Sequence, residues 1–122
     1  MTIPYTVSGS LTFPPEPSAA ECVRALQASG TYTQKQDDRY TLTGSGTQNV
    51  TFSADLKILL VQVEAGATAA VNVRINTSTD DIEVTAGGFI LISNPTPGSG
   101  TGILQINLVH TTDAVVRVIG LS

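Results

Sequence analysis

Two stretches, Val71-Asn72-Val73-Arg74-Ile75 and Leu104-Gln105-Ile106-Asn107-Leu108, alternate apolar and polar residues at every step. A period of two lines the apolar set along one face of an extended strand, whereas a helix would scatter it around its circumference. The rest of the chain shares this bias. The whole chain holds 17 Thr, 12 Val and 9 Ile, so 38 of 122 residues are β-branched. Such side chains are stiff at χ1 and suit a pleated, half-buried surface. With the two alternating stretches included, strand-length runs fall at 31–34, 39–43, 49–53, 56–64, 69–75, 81–85, 88–93, 103–110 and 114–121. The first two flank a polar turn, Lys35-Gln36-Asp37-Asp38.

The unbroken runs Ile58-Leu59-Leu60-Val61 and Phe89-Ile90-Leu91-Ile92 predict central strands, the former covered on both faces at one end. Ala65-Gly66-Ala67 and Thr111-Thr112-Asp113 are short enough for antiparallel hairpins, and Asn76-Thr77-Ser78-Thr79 is another polar reversal. The long Pro/Gly/Ser segment 94–102 is expected to be a mobile loop. Strands this short and this numerous predict an all-β, antiparallel two-sheet sandwich. With no Trp and a single Cys, the immunoglobulin Cys-Trp-Cys signature is impossible, which favours a jelly-roll-like arrangement.

The first residues follow a different pattern. Ile3, Tyr5 and Val7 alternate weakly before Phe13-Pro14-Pro15-Glu16-Pro17, where proline forbids ladder hydrogen bonds. Residues 1–17 are therefore expected to form an extended arm, and 18–122 a single sandwich domain. Ser18-Ala19-Ala20-Glu21 has the form of a capping box. Ala19, Cys22, Val23 and Leu26 follow at helical spacing, and Gly30 stands where a helix would stop. One short α-helix near 18–29 is predicted, packing its Cys22/Val23/Leu26 face on a sheet.

Charge removes several classes of function. Six basic residues are scattered against ten acidic ones, for a net charge of −4. No basic stripe is present to displace counterions from nucleic acid or to hold anionic lipid. No apolar run is long enough to cross a bilayer, and Met1-Thr2-Ile3-Pro4-Tyr5 lacks the marks of a secretory signal, so synthesis in a cytoplasm is expected. Lone Cys22 forms no intrachain disulfide and reads as a small buried hydrophobe.

Candidate chemistry is sparse. His110, the single histidine, and Asp113 could act as base and orienter beside a hydroxyl, but no strained nucleophile motif accompanies them and a strand-end role fits better. Asp37-Asp38 and the Asp80/Asp81/Glu83 group could offer oxygens to calcium, yet lack a calcium-loop pattern and read as solvated turns. Asn49-Val50-Thr51 and Asn76-Thr77-Ser78 match the glycosylation acceptor by coincidence in a Thr-rich chain. Gly87-Gly88 lacks the lysine of a phosphate loop and fits a tight turn. A carbohydrate platform would have to be built from Tyr32 and Tyr40 alone.

The cadence of Lys57–Val63, Val71–Ile75, Gly87–Ile92, the Gly/Ser/Pro loop, Ile103–Leu108 and Val115–Gly120 resembles small virion structural proteins of tailed bacteriophages. The resemblance covers about 60% of the chain, from Asn49 onward. It implies a non-enzymatic component of a virion: a capsid decoration or cement protein, a head fibre, or a tail-associated sandwich. Its partners would be further copies of itself, often as trimers, and a major capsid or other virion protein, with no cofactor, nucleic acid or membrane. Contact would then be made through the arm, with Ile3, Tyr5, Val7, Phe13, Pro14 and Pro15 as candidates. A carbohydrate- or receptor-binding module of a tail or fibre is the alternative.

Overall fold

A computed structural model describes residues 2–13, 22–98 and 102–122; for 11–13 and 22–26 only the backbone is considered. Among the described residues ten strands are formed: β1 (Ile3–Phe13), β2 (Cys22–Tyr32), β3 (Lys35–Leu42), β4 (Gly46–Thr51), β5 (Ile58–Val63), β6 (Val71–Ile75), β7 (Ile82–Val84), β8 (Phe89–Ser93), β9 (Gln105–His110) and β10 (Ala114–Leu121). The last eight build two antiparallel four-stranded sheets, ordered β3-β10-β5-β8 and β4-β9-β6-β7. Within the sandwich, only β6 and β7 are both consecutive in sequence and hydrogen-bonded to each other.

Alternation explains the core. Val61 and Val63 of β5 and Val116 and Val118 of β10 meet Val71 and Val73 of β6 and Ile106 and Leu108 of β9, all completely or almost completely buried. These are the inward sets that a period of two selects. As the Ile58–Val61 run foretells, β5 is flanked on both sides, and Ile58 and Leu59 are buried on opposite faces of one strand.

Four expectations are corrected. No helix is seen among the described residues, and the predicted helix near 18–29 gives way to strand β2 from Cys22 onward. The reason is a waiting partner. Every second residue from Ile3 to Phe13 is apolar or glycine, and β1 pairs with β2 over eleven rungs, from Ile3 opposite Tyr32 to Phe13 opposite Cys22. A helix of that length is marginal in isolation, so long-range pairing overrides its local signals. The capping box at 18–21 and the arm boundary at 17 lie outside the described residues.

The polar stretch Lys35–Asp38 is not a turn but the first half of β3, an edge strand that tolerates charge. Ala65–Ala67 and Thr111–Asp113 do not close hairpins; each carries the chain from one sheet to the other. Finally, β8 is not central but stands at the open end of its sheet.

Candidate contact surface

The outward face of the β3-β10-β5-β8 sheet has two halves. Ladder register places Asp37, Ile119, Leu60 and Leu91 in one row across it, and Arg39, Arg117, Gln62 and Phe89 in the next. The β3 side is charged and the β8 side apolar. Phe89 is 64% exposed and Leu91 40%, two large apolar side chains two residues apart on one outward face.

The β1–β2 hairpin lies over this face. Tyr5 is buried against Ile58 and Leu121, with Val7, Tyr32 and Ile119 packed around them. Gly30 stands opposite Tyr5 in the ladder, where a Cβ would come within 2.8 Å of the Tyr5 hydroxyl. The helix-stop role expected for Gly30 is thus replaced by a close approach to an aromatic ring. The hairpin root is pinned by the Lys57 ammonium donating to the Thr31 carbonyl at 2.7 Å, and by the Thr33 and Gln34 amides donating to the Ser122 carbonyl. Farther along, Val7, Gly9 and Ala28 face Phe89 and Leu91 across an open cleft of about 460 Å³.

The arm residues singled out from sequence therefore divide. Tyr5 and Val7 dock on the chain's own sandwich, and Ile3 remains exposed. The Phe13 backbone pairs with that of Cys22, while Pro14 and Pro15 lie outside the described residues. Sequence reasoning missed Leu60, Phe89, Leu91 and Ile119 as surface. The outward side of β8 is seen only once its edge position is known.

The other candidates are committed elsewhere. His110 is buried at the end of β9, with Nδ1 2.6 Å from the Gly44 carbonyl; since a carbonyl only accepts, Nδ1 carries the proton. The Gly44 amide in turn donates to Asp113 Oδ1 at 2.6 Å. The two residues thus clamp one turn between sheets, and among the described residues neither engages a hydroxyl. Asp81 accepts from Arg74 Nε at 2.6 Å, and among the described residues no group of three or more His, Cys, Asp or Glu side chains is placed to hold a metal.

Tyr32 belongs to the cluster under the hairpin and Tyr40 to the main core, so they form no common platform. Burial, then the Asp38 carboxylate, raises the Tyr40 phenol above its ordinary pKa. Asn49 donates to the Asn107 side chain, and Asn76 Nδ2 to the Gly102 carbonyl, so both acceptor-pattern amides are already engaged. Compared with known protein families, curated proteins and solved structures, the chain matches none of them.

Proposed function

We propose that this protein is a non-enzymatic structural component of a bacteriophage virion, a capsid decoration or head-fibre-associated protein acting through protein–protein contact. The strand order supports a jelly roll: counted from β3, the first of eight strands pairs with the last, the second with the seventh, the third with the sixth and the fourth with the fifth. The observation that carries the reading is the surface described above. An eleven-rung hairpin lies against one sheet and leaves Ile3, Phe89 and Leu91 open to solvent, a display suited to contact with other chains. Tyr5, Val7 and Ile3 anchor and extend that hairpin.

The test is particle binding. Purified virions are analysed by mass spectrometry for this chain, and particles lacking it are titrated with the full chain and with a variant deleted from residue 2 to 32. Saturable binding by the full chain, lost on deletion while the sandwich stays folded by circular dichroism, is expected. Absence from every particle fraction, or binding indifferent to the deletion, overturns the reading.

A further inference from the structure

A strand at the end of a sheet leaves half of its backbone amides and carbonyls without ladder partners, and folded proteins guard such edges with charge or brevity. Three of the four sandwich edges are guarded or polar. β3 carries Lys35, Asp37, Asp38 and Arg39; β7 is three residues long and includes Glu83; β4 shows Thr47, Asn49 and Thr51 to solvent. The fourth, β8, reads Phe-Ile-Leu-Ile-Ser, with neither charge nor proline.

We propose that β8 is a pairing edge, and that its occupant is the β8 strand of a second copy of this chain, related by a two-fold axis. The backbone sets the geometry. The Val63 amide bonds the Gly88 carbonyl, and the Asn94 amide bonds the Lys57 carbonyl. Alternation along an antiparallel ladder then turns the amides and carbonyls of Ile90 and Ile92 toward β5, and those of Phe89, Leu91 and Ser93 to the open side. An antiparallel mate centred on Leu91 sets Leu91 against the partner's Leu91 and Phe89 against the partner's Ser93, so a single strand complements itself.

Charge argues for a copy of the same chain. Each chain carries −4 and repels its like, but from Val84 to Thr112 the sequence has no Lys, Arg, Asp or Glu. Two copies therefore meet at β8 without opposing like charges, and Phe89 and Leu91 leave water as they do. A five-residue edge, about 17 Å long, falls short of the ~800 Å² per partner of a specific interface. The cleft bounded by the hairpin adjoins the same two side chains and supplies further surface to cover. The inference deepens the contact role proposed above but stands on the edge itself, so solution mass tests it separately from particle binding.

Sedimentation of the full chain is expected to give twice 12.7 kDa. Leu91→Lys should halve that mass with the fold intact by circular dichroism, and Thr47→Lys on the β4 edge should leave it unchanged. In a Cys22→Ser background, Leu91→Cys should cross-link to a covalent dimer on mild oxidation, which keeps the test decisive if the lysine variant misfolds. A single-chain wild type, an odd number of chains, a mass indifferent to Leu91→Lys in a folded variant, or no cross-link overturns the proposal.

Discussion

Arg39 and Arg117 stand directly opposite each other in the β3–β10 ladder, two like charges in one cross-strand pair. Unrelieved, such a pair destabilises a sheet. Each guanidinium is matched instead by its own carboxylate in two parallel hydrogen bonds: Arg117 to Asp37 at 3.0 and 2.8 Å, Arg39 to Glu64 at 2.9 and 3.0 Å. Lys35 adds a looser contact to Asp37 at 3.9 Å.

This arrangement predicts a pH dependence of stability. Hydrogen bonds from Arg117 hold the Asp37 carboxyl below its ordinary pKa, and those from Arg39 do the same for Glu64. A carboxyl depressed in the folded state stabilises the fold above its unfolded pKa, and that contribution is lost as pH falls through the folded value. Stability measured by denaturant should therefore decline below the ordinary carboxylate range. Asp37→Asn should flatten that acid limb and leave the Arg117 charge uncompensated beside the Arg39–Glu64 pair at neutral pH. Salt should narrow the difference between variant and wild type, because both pairs are largely exposed.

Gly120→Ala tests the packing beneath β10. A Cβ there would lie 3.0 Å from both Leu56 Cδ2 and Phe52 Cε1, two side chains that are themselves buried. Overpacking of this kind costs about 1–3 kcal/mol. Urea unfolding should show the loss as a lower midpoint with an unchanged slope.

Asn76, immediately after β6, has φ at 53°, a left-handed conformation. Its Oδ1 accepts from the Leu104 amide at 2.9 Å, and its Nδ2 donates to the Gly102 carbonyl at 3.1 Å. Asn76→Gly keeps the backbone geometry and loses the side-chain bonds, while Asn76→Ala loses both. The expected order of stability is wild type, then Gly, then Ala, with Ala lower by about 2–3 kcal/mol. Thermal unfolding of the three chains gives the ranking.

The Tyr5 hydroxyl is buried with no hydrogen-bond partner among the described residues. Tyr5→Phe should therefore be neutral or stabilising, by up to about 1 kcal/mol. Gly30→Ala should instead push the hairpin off the sheet, since its methyl meets the Tyr5 ring. Hydrogen exchange at β1 and β2 amides reports both effects, with faster exchange expected only for the alanine variant.

The inward face of the sandwich was legible in the sequence because a period of two leaves little choice of side. Val71, Val73, Ile106, Leu108, Val116 and Val118 are all buried where alternation puts them. Pairings between distant strands were not legible. The residues Cys22, Val23 and Leu26 fit helical spacing, and only the far-off alternation of Ile3, Tyr5 and Val7 resolves them as a strand. Phe89-Ile90-Leu91-Ile92 looks central because hydrophobicity reports that a strand meets apolar neighbours, not whether it ends a sheet. The candidate contact surface was therefore half visible: its arm in the sequence, its apolar floor only in the fold.

The strand order also bears on how this chain reaches its native state. β10, the last strand in the sequence, is the centrepiece of its sheet, bonded to β3 on one side and β5 on the other. Neither that sheet nor the core beneath it can close until some eighty residues have been brought back on themselves. Folding dominated by such distant pairings runs in about milliseconds to seconds, far slower than helix or hairpin formation. On the ribosome, the sandwich must wait as an open, apolar chain until β10 emerges, and its dependence on chaperones should be greatest in that interval.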